Sequence, residues 1–281
     1  MLECVVNISE GRDPDAIAAI AAACGAALLD VHTDADHHRS VLTLAGRDLQ
    51  DAARAARGLT DAVAERLDLS THRGVHPRLG AIDVVPFVAL APTAASTAVE
   101  AARAYAEWVV ESHGVPVFLY GDADPLARSL PEARRDAFRT RAPDLGSTDP
   151  HPRLGAVAVG ARPPLVAINV ELATDDLALA RRVAAAVRER DGGLPGVRAL
   201  GLALPGRGHA QVSMNLVALE RTGIEEACSE VERRLGAEGV AVDRIELVGL
   251  VPDAARSRCS EGFLARSGIG PERSVEGRLA G

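Results

Sequence analysis

HPRLGAIDVVPFVAL, residues 76–90, opens with a hexapeptide that returns unchanged in HPRLGAVAVGA, residues 151–161. Six consecutive identities, at His76–Ala81 and again at His151–Ala156, are not a chance event. They predict two related halves, each presenting the same kind of loop. Each copy runs into an apolar stretch rich in Val and Ile, the pattern of a buried strand. The loop itself carries a group that can exchange a proton near neutral pH, a rigid Pro, an anion-binding guanidinium and a Gly where the backbone turns or a ligand approaches closely.

Working outward from the first copy, LECVVNI (2–8) reads as a buried strand. Asp13 followed by Pro14 reads as the cap and first position of a helix over SEGRDPDAIAAIAAAC (9–24). Strands are predicted over 26–32 and 40–46, with a polar turn TDADHHR (33–39) between them. A helix over 48–68 precedes the hexapeptide, and the strand 82–90 follows it. A long helix over 93–112 ends at Gly114 with Pro116 beyond, and 115–121 is a further strand. After a short helix at 131–138, the pattern runs strand 156–161, strand 165–172, helix 174–190, strand 197–204, strand 210–219, helix 223–237 and strand 242–251.

The fold class predicted is therefore α/β (α+β). Two similar subdomains each carry a mixed β-sheet with helices on one face, of the split β-α-β type. The division expected is an N-terminal subdomain 1–125, a linker 126–150 rich in Pro, Gly, Ser and Asp, a C-terminal subdomain 151–252 and a partly disordered tail 253–281.

Composition narrows the function. The 281 residues can bury a large core, and 47% of them are hydrophobic while only 2% are aromatic, so the core must be aliphatic. A net charge of −8 disfavours nucleic acid as a partner and fits a cytoplasmic protein. No apolar run is long enough for a membrane span, and MLECVVNISEGRD lacks the features of a secretory signal. Cys4, Cys24, Cys228 and Cys259 are scattered without C-x-x-C spacing, which argues against a thiolate metal site or a disulfide framework. No P-loop, dinucleotide fingerprint or nucleophile elbow is present.

The densest chemistry lies in THRGVHPRLGAIDVVPF (71–87). His76 precedes Pro77, which biases its backbone to extended geometry, and a pKa near 6.5 suits it to general acid–base work. His72 is a weaker candidate of the same kind. Arg73 and Arg78 are candidate forks for carboxylates, and Asp83 is positioned by sequence to hold His76 or Arg78. A second cluster, DVHTDADHHR (30–39), offers His32, Asp34, Asp36, His37 and His38. Substrate positioning suits it better than a metal, since it lacks helical His spacing and Cys. A third, GSTDPHPRLGA (146–156), presents hydroxyls and backbone N–H groups beside Arg153, an arrangement suited to an anionic or heteroatom-rich ligand. In QVSMNL (211–216), Ser213 and Asn215 share one strand face.

CVVNISEG (4–11), LLDVH…HRSVLTLAG (28–46), HRGVHPRLGAIDVVPF (72–87), PVFLYG (116–121), APDLG…GAVAVGARPPLVAINVEL (142–172), AQVSMNLVALERT (210–222) and LVGLVP (247–252) together resemble the formimidoyltransferase family. The matching stretches run in one order across nearly the whole chain. The resemblance implies transfer of a formimidoyl group from N-formimidoyl-L-glutamate to N5 of tetrahydrofolate, a step of histidine degradation and one-carbon metabolism. It also implies a folate-binding cleft or tunnel between the two subdomains and an assembly that is usually a homodimer. Tetrahydrofolate is then a co-substrate and no metal is expected. The family's catalytic histidine, in its H-x-G-x-H-P-R motif, matches His76. Its folate-contacting segment matches Gly146, Ser147, Thr148, Asp149, Pro150, His151, Pro152, Arg153, Leu154 and Gly155. His32, Arg39, Arg73 and Arg78 are the candidates for binding the glutamate-bearing substrate. Two alternatives remain open at this level. One is a glutamate formyltransferase acting with 5-formyl-tetrahydrofolate on the same site, and the other is a metal-dependent amidine hydrolase using residues 32–38.

Overall fold

The structure, a computed structural model, describes residues 1–73, 78–135 and 137–280. The chain forms two compact units, Met1–Pro163 and Pro164–Gly281.

The first unit begins β1 (Leu2–Ile8), α1 (Pro14–Ala22), β2 (Leu28–Asp34), β3 (Arg39–Ala45), α2 (Asp51–Arg66) and β4 (Ile82–Ala89). It continues with α3 (Ala95–His113), β5 (Val117–Gly121), α4 (Leu130–Arg135) and β6 (Val157–Ala161). The sheet order is β2-β3-β1-β4-β6-β5. The pairs β2–β3, β3–β1 and β1–β4 are antiparallel, whereas β4–β6 and β6–β5 are parallel.

Alternation on β1 sends Leu2, Cys4, Val6 and Ile8 into the core, where Leu42 and Leu44 of β3 join them. Helix α2 buries Ala52, Ala55, Ala56, Leu59, Ala62 and Val63, a stripe at helical spacing, and α3 buries Ala98, Ala102, Tyr105, Ala106 and Val109. Each fully buried Leu or Val here contributes about 2 kcal/mol. Alanine at the remaining contact positions lets the helices approach closely, which suits a core almost without rings. The Tyr105 hydroxyl meets Thr60 Oγ1 at 2.5 Å inside it. Asp13 caps α1 by accepting from Asp15 and Ala16 N–H, with Pro14 at the first position, and Gly114 closes α3 at φ 66°, both as the sequence predicted.

The second unit is built from β7 (Val166–Leu172), α5 (Leu177–Val187), β8 (Val197–Leu204), β9 (His209–Leu216), α6 (Ile224–Ala237) and β10 (Val242–Val248). Its order is β10-β7-β9-β8. This is the same β-α-β-β-α-β arrangement that β1 to β4 make in the first unit, strand for strand. The six-stranded sheet is mixed, as expected. In the four-stranded sheet every pairing is antiparallel, because each helix-connected strand pair is split by a strand running the other way.

Three expectations are corrected. The unit boundary falls at Pro163–Pro164, not within 126–150, because β6 is held between β4 and β5 as a strand of the first sheet. The stretch 122–150 is a connection inside that unit. Arg128 bridges Asp124 at 2.5 Å and Asp144 at 3.1 Å there, and Val117 N–H donates to Leu145 C=O at 2.9 Å. The tail is ordered: α7 (Asp253–Arg256), α8 (Glu261–Ser267) and α9 (Val275–Ala280) place Phe263, Ile269 and Val275 in the core of the second unit. Lastly, the two hexapeptides do not mark two halves, since both belong to the first unit. Among the described residues, no helix is long and apolar enough to cross a membrane.

Candidate active site

The two hexapeptides lie against each other. Ala81 N–H donates to Leu154 C=O at 2.9 Å and Ala156 N–H to Leu79 C=O at 3.1 Å, around an antiparallel bridge between Gly80 and Gly155. The approach is too close for side chains. A Cβ on Gly80 would stand 2.1 Å from Ala156 O, and one on Gly155, which also has φ 71°, would stand 2.4 Å from Leu79 O. From this contact the chains diverge into the parallel neighbours β4 and β6. His76 and Pro77 lie outside the described residues.

Around the described part of the first copy the protein gathers charge. Asp83, fully buried on β4, accepts Leu79 N–H at 2.7 Å with Oδ1, and its Oδ2 is shared by the guanidinium groups of Arg39 and Arg134. Burial is the largest influence on Asp83 and pushes its carboxyl up, but Arg134, Arg39 and the Leu79 N–H together hold it below the usual carboxylate range. Burial also presses Arg39 below its ordinary value, opposed by Asp83. Arg39 donates further to Asn7 Oδ1, at 2.7 Å and 3.1 Å. Asp83 is thus an anionic hub for two cations and one loop amide. The sequence had offered it to His76 or Arg78.

His38 and His72 stack with ring centroids 4.0 Å apart. His72 Nε2 is 3.1 Å from His38 C=O, which only accepts, so Nε2 carries the proton and Nδ1 receives the Arg78 guanidinium. Gly11 N–H is divided between Glu10 Oε1 at 2.8 Å and His38 Nδ1 at 3.1 Å. Burial, then His38 and Arg78, push His72 down to about 4, and burial likewise lowers His38, with Arg12 and Arg78 adding to it. Both imidazoles are neutral at pH 7. His72 is the one that meets Arg78, whose own value is lowered by burial and by Arg73 and Arg12 nearby. Arg73 is exposed and donates to His72 C=O at 2.9 Å. His32 sits half-buried on the edge strand β2, opposite Val41.

The second copy is arranged differently. His151 Nδ1 accepts two amides of its own loop, Arg153 N–H at 3.2 Å and Leu154 N–H at 3.0 Å. Burial, then Arg153 and His113, lower its pKa. The Arg153 guanidinium reaches Leu67 C=O at 3.2 Å and Ala64 C=O at 3.4 Å, where a cation complements the end of α2. Gly146, Ser147, Thr148, Asp149, Pro150, Pro152 and Arg153 are exposed. Asp149 N–H donates to Ser147 Oγ at 3.0 Å, making the tight turn that the sequence predicts. Leu154 packs in the core and Gly155 is enclosed by Leu79 and Gly80, so neither offers a side chain to a ligand.

Among the described residues, 32–38 do not bring three ligand atoms together; Asp34 accepts His37 N–H at 2.8 Å. The trio that does converge is Glu171, His209 and Asp243 in the second unit. Arg207 and Arg244 both hold Glu171 Oε1 at 2.6 Å, which supplies the charge a cation would bring. On β9, Ser213 lies opposite Asn169 and Leu200, and Asn215 opposite Ala167 and Arg198.

Sequence reasoning missed Asn7, Glu10 and Arg134. Arg134 lay in a segment read only as a bridge between halves, and nothing local announces that α4 turns it towards β4.

Both units carry one β-α-β-β-α-β topology, and the first adds an arginine- and histidine-lined contact between two loops. Family models for the formiminotransferase domain match the chain over both units: its N-terminal subdomain over residues 1–162 and the formiminotransferase domain over residues 167–269. The chain belongs to the formiminotransferase family. It is 37% identical to the glutamate formimidoyltransferase of Streptococcus pyogenes serotype M1, over 94% of this chain and 93% of that protein. It is 36% identical to the glutamate formimidoyltransferase of Thermoplasma acidophilum, over 99% and 97%. It is also 35% identical to the formimidoyltransferase-cyclodeaminase of Sus scrofa, where 93% of this chain covers 53% of that protein. The matched boundaries agree with the division at Pro163.

Proposed function

We propose that this protein transfers a formimidoyl group from N-formimidoyl-L-glutamate to N5 of tetrahydrofolate, with His76 as general acid–base. The observation that carries the reading is the match across both units to proteins named glutamate formimidoyltransferase, over more than nine-tenths of their length. The cationic cluster at the foot of the His76 loop supports it, since the donor substrate is a dicarboxylate and the acceptor ends in carboxylates.

In this reading N5 attacks the amidine carbon, giving a tetrahedral intermediate. The α-amino nitrogen of glutamate is a poor leaving group and must be protonated to depart. One imidazole at position 76 takes the N5 proton and returns it to that nitrogen, a contribution of about 10² to 10⁴-fold. Holding two substrates in register supplies more. Arg78, oriented by His72, and exposed Arg73 are assigned to the carboxylates of the donor. Arg39, paired with Asp83 and Asn7, is assigned to positioning within the same cluster. The exposed turn 146–153, with the hydroxyls of Ser147 and Thr148, is assigned to the folate. His32 remains a candidate for contact with the donor.

Purified protein mixed with N-formimidoyl-L-glutamate and tetrahydrofolate is expected to release glutamate only when folate is present. Folate-independent release at the same rate contradicts the proposal. Substituting N-formyl-L-glutamate tests the formyl variant directly.

A further inference from the structure

The turn between β2 and β3 ends on a residue with an unusual backbone. His38 has φ 51°, in the left-handed region that a side chain other than glycine seldom enters. The loop after β1 holds the turn in that shape. A Cβ on Gly11 would stand 2.3 Å from Asp34 O and 2.5 Å from Arg39 N, so the loop touches both ends of the turn. Gly11 N–H reaches His38 Nδ1 at 3.1 Å, and Ser40 Oγ donates to Glu10 C=O at 2.6 Å. Position 38 therefore offers two fixed surfaces, a carbonyl and a ring face, and His72 takes both. His72 Nε2–H donates to His38 C=O at 3.1 Å, and the two rings stack with centroids 4.0 Å apart and planes 26° apart.

That carbonyl selects which nitrogen of His72 keeps a lone pair. A neutral imidazole has one N–H and one acceptor nitrogen. With Nε2–H committed to His38, Nδ1 is the acceptor, and it meets the Arg78 guanidinium, a group with donors only. The other tautomer would set donor against donor at this contact. We infer that His38 is a positioning residue for Arg78: its left-handed backbone presents the carbonyl that fixes the tautomer of His72, and that tautomer holds the guanidinium. The inference rests on the assignment of Arg78 to the carboxylates of the donor substrate. His38 acts here through its backbone and touches no substrate, so the turn 33–39 serves the site without lending it a ligand atom.

Two variants of the full chain test the backbone of position 38. His38→Val, being β-branched, resists the left-handed region, whereas His38→Asn tolerates it. Imidazole ¹⁵N spectra at pH 7 are expected to show His72 protonated at Nε2 in the unaltered protein and in His38→Asn, with a population protonated at Nδ1 in His38→Val. KM for N-formimidoyl-L-glutamate is expected to rise about tenfold in His38→Val and to recover to within about threefold in His38→Asn, with kcat little changed. Loss of stability alone lowers the amount of active protein and leaves KM unmoved. In an Arg78→Ala background the effect of His38→Val on KM is expected to vanish. His72 protonated at Nδ1 in the unaltered protein, an unmoved KM in His38→Val, or the same rise in the Arg78→Ala background overturns the inference. The spectrum of the unaltered protein needs neither a folded variant nor turnover. It decides the inference if His38→Val does not fold, or if the unaltered protein shows no folate-dependent transfer, a result that contradicts the proposed function and not the placement of Arg78.

Discussion

The hexapeptide at 151–156 closes on itself, whereas the one at 76–81 is bound at its described end to the rest of its unit. His151 accepts amides from Arg153 and Leu154, and Arg153 lies along the end of α2. In the other copy Arg78 donates to His72, and Leu79 N–H is taken by Asp83. The six residues are the same, so the difference comes from what flanks them. Asp83 replaces Ala158, and a loop with His72 and Arg73 replaces the turn Ser147–Pro150. Over the described residues, the neighbours decide which partners the shared polar groups take.

The comparison is broken most forcefully by exchanging its histidines. His76→Ala is expected to reduce kcat by about 10² to 10⁴-fold without loss of fold, while His151→Ala leaves kcat within a few-fold and lowers stability by about 1 kcal/mol through two uncapped amides. Steady-state kinetics beside thermal melts separate the two effects, and equal kinetic losses would show that the copies are not different. Next comes the contact the copies share. Gly155→Ala adds a Cβ 2.4 Å from a backbone oxygen at positive φ, and a cost of about 2–4 kcal/mol is expected from denaturant unfolding. A cost under about 0.5 kcal/mol would mean that the loops separate freely.

The arginines give a smaller contrast. Arg78→Ala is expected to raise KM for the formimidoyl donor by about 10 to 100-fold, from loss of a charged hydrogen bond. Arg153→Ala is expected to lower stability by about 0.3–1 kcal/mol with little change in KM for the formimidoyl donor, from loss of a cation at the end of α2. Titration gives the smallest effect. His72 is lowered to about 4 from 6.5, so between those values the unfolded chain takes up a proton that the folded chain refuses. Stability tied to His72 is therefore fully present above about pH 6.5 and declines as pH falls towards 4. Unfolding followed from pH 7 to pH 4.5 is expected to show a decline that His72→Gln reduces, and an unchanged slope would place the proton elsewhere.

Strand and helix positions were legible because period and capping are local signals. The prediction of a strand over 197–204 matches β8 residue for residue, and Asp13–Pro14 marks the start of α1. The boundary was not legible, because β6 reads locally like the start of a new unit and only its pairing with β4 and β5 assigns it to the first. The repeat misled for the same reason: the true internal repeat is one of topology, β1 to β4 against β7 to β10, and it carries no shared hexapeptide. The tail misled because Phe263, Ile269 and Val275 are too widely spaced to show a period, although all three are buried. At the site, Arg39, Arg78 and Asp83 could be named from sequence. Their partners could not: Asn7 lies 32 residues from Arg39 and Arg134 lies 51 residues from Asp83, each pair joined only by folding.

The most direct measurement follows glutamate release from N-formimidoyl-L-glutamate by the purified chain, with and without tetrahydrofolate, for the unaltered protein and for His76→Ala and His151→Ala. Folate-dependent release that persists in His151→Ala and collapses in His76→Ala is the expected result. Release that ignores folate, or that survives loss of His76, would contradict the account.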